Sequence, residues 1–385
     1  MENAKEMLEA LRSEIDAADR DLIDAFIRRM GISSKIAECK KSGGIGVADP
    51  GRERRKMTDI TASVDADMRS YTQVLYSLLF ELSRSYQEKI NLEESSLYHE
   101  IKTAIDKSYT AFPTSARVAC QGVEGAYSQI ACEKLFKVPD IMYFASFENV
   151  FTAIEKGLCT YGILPLENST AGSVNKVYDL MMKHNFKIVR SVRLKVDHSL
   201  LARKGTDIKN IKEIFSHEQA INQSTEFLKS LGDVKITYCE NTAVAAKLVA
   251  ESERNDIAAL SSHSCAELYG LSCLAPSVQD KGNNYTRFIC ISKDLEIYPG
   301  ADKTSLMMTI SHKPGSLYRV LSRFYALGIN LIKLESRPIP DRDFEVMFYF
   351  DLETSIYSDE YVQLISEIGS LCEDFRYLGS YSELV

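Results

Sequence analysis

The chain has 385 residues, more than one hydrophobic core ordinarily fills, so two or three domains are expected. Its make-up, 45% hydrophobic and 26% charged, is globular, and a formal net charge of -8 argues against nucleic-acid or anionic-membrane partners. The roughly 18-residue apolar run of a membrane span and the pattern of a secretory signal are both missing, while nine cysteines without Cys-x-x-Cys and six scattered histidines imply a reduced, metal-free, cytoplasmic protein.

Residues 1–91 read as entirely helical. Met7, Leu8, Leu11, Ile15, Leu22, Phe26 and Met30 recur mostly at helical spacing and predict one long amphipathic helix. Gly43, Gly44 and Gly46 break it, and Asp49-Pro50 caps a second helix from near Gly51. A third, from about Asp67 to Ile90, gathers Val74, Leu75, Leu78, Leu79 and Leu82 on one side. Three such helices bury their faces poorly alone, so an intertwined helical dimer is expected.

Residues 92–116 are polar, end in Pro113-Thr-Ser115, and read as a linker. From Arg117 short strands alternate with helices. Strands are expected at Val118–Gln121, Tyr161–Leu166, Ile188–Val196, Lys235–Cys239, Ile257–Leu260 and Phe288–Ser292. Helices are expected at Gln129–Phe136, Phe147–Lys156, Val174–Lys183, Gln219–Leu231 and Ala243–Glu251. The alternation predicts an α/β domain over 117–296, with two lobes and a cleft between them.

After a polar boundary at Tyr298–Lys303, residues 303–385 read as a compact α+β unit. Strands at Ser305–Ile310, Leu331–Glu335, Phe344–Asp351 and near Phe375–Tyr377, with helices at Ser316–Leu327 and Asp359–Leu371, give a ferredoxin-like order.

Three sets of polar residues carry the chemistry. The first is Arg12, Arg29, Lys40, Asp49-x-x-Arg52-Glu53 and Ser83-x-x-x-Gln87, spread over the three helices. Positive and negative charges nearly cancel over residues 1–91, so the cations are isolated points, suited to a small anion and not a polyanion. In this order they resemble the all-helical chorismate mutase family over residues 5–90. The resemblance implies rearrangement of chorismate to prephenate, in which a dianion is held compactly while charge develops on the ether oxygen. It further implies that Arg29, and Arg12 from a partner subunit, clamp the carboxylates. Lys40 and Gln87 would donate to the ether oxygen, Glu53 would accept from the substrate hydroxyl, and Asp49, Arg52 and Ser83 would complete the wall.

The second set begins at Gly122-Val-Glu-Gly125-Ala-Tyr-Ser128, a glycine turn between strand and helix that suits an anion. Pro165–Ser173, Asp197-His198-Ser-Leu-Leu201, Ser216–Gln219, Tyr269-Gly-Leu271 and Asn284-Tyr-Thr286-Arg287-Phe288 follow. Singly each is a helix cap or turn. Together they resemble the prephenate dehydratase family, which implies loss of carbon dioxide and hydroxide from prephenate to give phenylpyruvate. By that resemblance Thr286 is the proton donor and Arg287 binds a carboxylate. Asn168, Ser169, Thr170, Ser216, Gln219 and Gln223 would line the cleft. His217, beside a serine cap, is read as structural.

The third set is Lys313-Pro-Gly315-Ser316-Leu317 and Leu334-Glu335-Ser336-Arg337-Pro338. Within a ferredoxin-like order these resemble an ACT regulatory domain binding L-phenylalanine, with Gly315, Ser316, Leu317, Asn330, Glu335, Ser336 and Arg337 around the effector. The whole is then a multidomain enzyme without cofactors, a homodimer or homotetramer whose ligands are chorismate, prephenate and L-phenylalanine. Two rivals stand beside it. One is a non-catalytic bilobed ligand-binding module with an amino-acid sensor; the other, a prephenate dehydrogenase fusion, requires a dinucleotide fingerprint that the sequence lacks.

Overall fold

A computed structural model describes residues 2–385 except 48, 92–95, 108–110, 327, 340, 341, 343, 344, 358–360, 363, 366, 367, 370 and 371. The chain divides into two compact bodies. One holds Met1–Glu100, Ile310–Leu327 and Tyr357–Asp374; the other holds Ile101–Thr309, Gly328–Ile356 and Phe375–Val385. Among the described residues no helix is long and apolar enough to cross a membrane.

The chain opens with α1 (Glu2–Gly43), α2 (Pro50–Ala62) and α3 (Arg69–Asn91), as expected. Gly44, at φ +63°, ends α1: its N–H reaches the Lys41 carbonyl and Ile45 N–H reaches Lys40, a pattern that needs the left-handed conformation. Asp49 caps α2 by accepting from Arg52 N at 3.0 Å, and Pro50 occupies the first turn. Met7, Leu8, Leu11, Ile15, Leu22, Ile23 and Ile27 of α1, and Val74, Leu75 and Leu78 of α3, remain exposed.

The segment read as a linker contains α4 (Ser96–Asp106). Leu97, Ile101 and Ala104 follow helical spacing, and Ile101 and Ala104 are buried, which the polar average of the segment concealed.

The second body alternates elements. First come β1 (Arg117–Gln121), α5 (Tyr127–Leu135), β2 (Asp140–Phe144), α6 (Phe147–Glu155), β3 (Tyr161–Asn168), β4 (Gly172–Ser173), α7 (Asn175–Lys183) and β5 (Lys187–Lys195). Next are β6 (Ser199–Ala202), β7 (Glu213–Ser216), α8 (Glu218–Asn222), α9 (Thr225–Ser230), β8 (Lys235–Tyr238), α10 (Thr242–Glu251), β9 (Ile257–Ser261), α11 (Ser264–Leu268) and β10 (Ser272–Ala275). The chain continues through β11 (Tyr285–Ser292), β12 (Lys303–Thr309), α12 (Ser316–Ala326, in the first body), β13 (Asn330–Pro338), β14 (Val346–Glu353), β15 (Asp374–Tyr381) and β16 (Glu383–Leu384). The single helix expected over Gln219–Leu231 is two, α8 and α9, parted at Gln223 and Ser224.

A seven-stranded sheet runs β16-β5-β11-β3-β1-β2, with β4 on β3. A five-stranded sheet runs β10-β6-β9-β7-β8. The chain crosses between them at 196–198 and 276–284, giving the two expected lobes. A four-stranded sheet, β13-β14-β12-β15, shares one apolar core with the first: Val150, Phe151, Leu164, Tyr178 and Met181 pack in one cluster with Met307, Met347, Tyr349 and Leu378. The second helix expected for this unit, Asp359–Leu371, lies partly outside the described residues.

Strand β11 is central, antiparallel to β3 on one side and β5 on the other, with Thr286 opposite Asn168 and Arg287 opposite Glu167. Successive side chains of a strand point to opposite faces. Arg287 is accordingly buried on the face away from the cleft, paired with Asp351 of β14. Its Nε lies 2.8 Å from Glu167 Oε1, outside hydrogen-bond alignment. Burial opposes the guanidinium's charge, but the Asp351 carboxylate beside it overrides this and holds its pKa well above the usual value. Asp351 also accepts from Ser305 Oγ, which receives Tyr349 OH at 2.9 Å. Asp351→Ala strands a buried cation and is expected to destabilise this body by about 3–5 kcal/mol, whereas Arg287→Met with Asp351→Leu recovers a good part. Urea unfolding of both variants measures this; equal losses would contradict the pairing argument.

Candidate active sites

The first body holds a cavity of about 390 Å³ lined from α1, α2 and α3. Arg29, Lys40, Asp49, Arg52, Glu53, Ser83 and Gln87 all reach it, so the structure assembles seven of the eight residues marked in the sequence. Arg12 lies elsewhere, exposed and paired with Glu9 at 2.6 Å. Arg29 donates to the Leu79 carbonyl at 2.9 Å and to the Ser83 hydroxyl, and its burial lowers its pKa somewhat. Lys40 Nζ donates to the Val47 carbonyl beyond the glycine break. Gln87 is buried, and among the described residues its Oε1 has no hydrogen-bond partner.

Arg84 also lines the cavity and pairs with Glu53. Sequence reading missed it, although it stands four residues after Phe80 and three before Gln87, on the same helical stripe. Arg28 and Lys56 line the cavity as well. The lining thus carries Arg28, Arg29, Lys40, Arg52, Lys56 and Arg84 against Asp49 and Glu53, a surplus of positive charge suited to a dianion.

In the second body a cavity of about 460 Å³ lies between the lobes, beyond the carboxyl ends of β1, β7 and β8. Open α/β sheets bind ligands at that position. The glycine turn after β1 brings Ala126, Tyr127 and Ser128 to its wall. Gly125, at φ +89°, leaves space for Cys265 and Leu268, which an added Cβ would meet at 2.9 Å. Among the described residues neither Lys nor Arg lines this cavity; Lys281 lines an adjoining one that shares Ala171, His217, Gln219 and Gln223.

Asn168, Gln219, Gln223 and Thr286 line the cleft, and Thr170 lines the adjoining cavity. Thr286 Oγ1 accepts from Asn168 Nδ2 at 2.9 Å. Asn168 Oδ1 accepts from Thr170 Oγ1 at 2.7 Å and from the backbone N–H of Thr170 and Ala171 at 3.0 and 2.8 Å. Gln223 Nε2 donates to Thr170 Oγ1 at 2.8 Å.

Three expectations are corrected. Arg287 does not reach the cleft, because the strand's alternation turns it to Asp351 and Glu167. Ser216 is fully buried and donates to the Leu260 carbonyl at 2.7 Å, tying β7 to β9. Ser169 braces a turn, donating to the Asn283 carbonyl at 3.1 Å and accepting from Tyr285 N at 2.9 Å. His217, and not Ser216, caps α8, accepting from Gln219 N at 3.2 Å, and it also lines the cleft. The sequence motifs included His198 and Asn284 without assigning them a role; both join the Asn168–Gln223 network.

Of the residues marked for an effector, Ser316, Asn330, Glu335 and Arg337 have side-chain partners within the protein. Gly315 has φ +81°, and the Ser316 hydroxyl lies 3.1 Å from that of Ser311. Leu317 lies in the first turn of α12, and Ser336 stands opposite Phe348 in the β13–β14 pair. Asn330 donates to Glu353 at 2.9 Å, Glu335 accepts from Ser173 at 2.9 Å, and Arg337 pairs with Asp179 at 2.9 Å.

Comparison with known proteins matches the prephenate dehydratase family over residues 118–296 and chorismate mutase type II over residues 11–88. Arogenate dehydratase/prephenate dehydratase 2 of Arabidopsis thaliana is 37% identical, over 69% of this chain and 72% of that one. The bifunctional chorismate mutase/prephenate dehydratase of Escherichia coli K12 is 29% identical over 97% and 95%. Among solved structures, a quorum-quenching acylase, GqqA, has a TM-score of 0.63 at 28% identity, over 69% of this chain and 97% of that one. A prephenate dehydratase of Arthrobacter aurescens, solved with L-Phe, has a TM-score of 0.63 at 24% identity, over 69% and 90%. The rival reading of a non-catalytic module gains no support from these relatives. With a cationic helical cavity in one body and a hydroxyl-and-amide cleft in the other, the chain belongs to the bifunctional chorismate mutase/prephenate dehydratase family, converting chorismate to prephenate and prephenate to phenylpyruvate in phenylalanine biosynthesis.

Proposed function

We propose that the cationic cavity over α1–α3 performs the mutase step with Arg29 and the partner subunit's Arg12 on the two carboxylates. Lys40 and Gln87 donate to the ether oxygen, Glu53 accepts from the hydroxyl, and Asp49, Arg52, Ser83 and Arg84 hold the wall. The observation that carries this reading is the convergence of Arg29, Lys40, Glu53 and Gln87 on one cavity. Catalysis then comes from confinement and from donors fixed where charge develops, with no proton transfer. The exposed apolar stripes of α1 and α3, together with Arg12 lying outside the cavity, support a helical homodimer in which Arg12 crosses over. Assembly to a homotetramer would need a second interface besides this one.

In the dehydratase cleft Thr286 donates to the departing hydroxyl, with Asn168, Thr170, Gln219 and Gln223 around it. Carbon dioxide leaves from one carboxylate as the ring aromatises. The other carboxylate faces the first N–H groups of α5 and α10, a setting that suits an anion. Residues 303–385 act as an ACT unit through which L-phenylalanine inhibits. The four-stranded order β13-β14-β12-β15, which is the ferredoxin-like one, supports this, as does the L-Phe bound in the Arthrobacter relative. The enzyme works in the cytoplasm without a cofactor.

Lys40→Ala is expected to lower mutase turnover by about 10²–10³ while sparing dehydratase turnover on added prephenate. A mutase rate within threefold of the parent would remove Lys40 from the site. Thr286→Ala should cripple dehydratase turnover alone, with Thr286→Ser keeping more of it; equal behaviour of the two excludes hydroxyl donation. For regulation, Arg337→Ala is expected to raise the phenylalanine concentration for half-inhibition at least about fivefold, the lower end of ordinary allosteric coupling. Unchanged inhibition would move the effector away from Arg337.

A further inference from the structure

We infer that His198 is a positioning residue for the dehydratase, heading a one-way chain of hydrogen bonds that leaves the Thr286 hydroxyl proton turned towards the substrate. The inference rests on Thr286 as the donor in that cleft. His198 is 3% exposed, sits in the crossover from β5 to β6, and lines the cavity with Thr286. Its backbone is fixed there: His198 N donates to Gln279 Oε1 at 2.9 Å, and Tyr127 OH donates to the neighbouring Asp197 carbonyl at 2.7 Å.

The direction of the chain follows from two backbone groups. The N–H groups of Thr170 and Ala171 can only donate, so the Asn168 atom they meet at 3.0 and 2.8 Å is its oxygen. Its nitrogen therefore faces Thr286 Oγ1 at 2.9 Å and Asn284 at 2.7 Å, and the Asn284 atom there is an oxygen. Asn284 then turns its nitrogen to Gln223 at 2.9 Å, which makes that Gln223 atom an oxygen. This same oxygen lies 3.1 Å from His198 Nε2, so Nε2 must carry a proton. Gln223 spends its nitrogen on Thr170 Oγ1 at 2.8 Å, and Thr170 passes its own proton to Asn168 Oδ1 at 2.7 Å.

Read in order, His198 donates to Gln223, Gln223 to Thr170, Thr170 to Asn168, and Asn168 to Thr286. No member can reverse without setting two donors or two acceptors face to face. Thr286 Oγ1 receives one hydrogen bond, and among the described contacts its own proton has no acceptor, so the bond it has left to make is a donation. Aligned hydrogen bonds polarise one another in a low-dielectric interior, and each donation upstream strengthens the last. Burial, opposed by the bond to Gln223 and by Asp197, lowers the His198 pKa, and His217 acts in the same direction as burial. The neutral ring with Nε2–H leaves at Nδ1, which has no partner among the described residues, a lone pair and not an orphaned N–H.

The full-length protein labelled with ¹⁵N-histidine tests this directly, with His198→Gln identifying the His198 signals by their loss. Expected at neutral pH are a protonated, pyrrole-type Nε2 and a pyridine-type Nδ1; the opposite tautomer overturns the chain. In assays on prephenate, His198→Leu should lower kcat by about tenfold, a share of the 10²–10⁴ that a positioned proton donor contributes, with KM within about threefold. His198→Gln, whose amide nitrogen stands near the place of Nε2, should recover most of that loss. Mutase turnover, measured in the same samples, reports intact protein. Equal impairment of the two variants, or loss confined to KM, counts against a positioning role. Should His198→Leu fail to fold, the tautomer decides alone. Failure of Thr286 as donor would show separately, as equal activity of its alanine and serine variants with the His198 tautomer unchanged.

Discussion

The pairing of β11 with β3 governs the second body because the two strands present opposite chemistry on their two faces. Towards the cleft stand Asn168 and Thr286, directly opposite each other; on the other face stand Glu167 and Arg287, also opposite. The outer pair engages Asp351 and Lys333 of the four-stranded sheet. A cation and a carboxylate buried this deeply hold only as partners. Any shift in how the four-stranded sheet sits would therefore act on the peptide link between Arg287 and Thr286.

That alternation explains where sequence reading succeeded and where it failed. The elements were legible because apolar periodicity, glycine breaks and caps are local: α1 ends at Gly43, α2 starts at Pro50, and β3 and β11 lie within two or three residues of their expected limits. Thr286 and Arg287 were read as one motif and placed in one site, although adjacent strand residues cannot share a face. The period-2 rule was available in the sequence; the ion partner, Asp351, lying 64 residues away, was not. Ser216 and Ser169 failed for a related reason. A hydroxyl at the end of a strand serves a backbone carbonyl or a substrate with equal ease, and only the fold decides between them.

Short strands escaped for another cause. β6, β7 and β10 are four residues each, too short for alternation to register, and β6 is buried throughout. In the helical body, by contrast, seven of the eight residues marked by the family resemblance line one cavity, Arg29, Lys40 and Gln87 among them. Arg84 was lost among six other basic residues of α2 and α3, of which, among the described residues, only Arg52 and Lys56 also line the cavity.

The two cavities handle closely related dianions by different physics, and the difference follows from their reactions. In the mutase reaction both carboxylates survive, so cations that grip them cost nothing in the transition state, and a donor placed at the ether oxygen gains as charge builds there. The dehydratase must expel one carboxylate as carbon dioxide, its charge flowing into the ring and out with the hydroxyl. An arginine locked on that carboxylate would stabilise the bound substrate more than the transition state and so slow the step. A cleft walled by amides, hydroxyls and helix starts, with Arg287 turned away into the core, avoids this. Arg287 instead anchors the strand that carries Thr286, through Asp351, from the face away from the cleft.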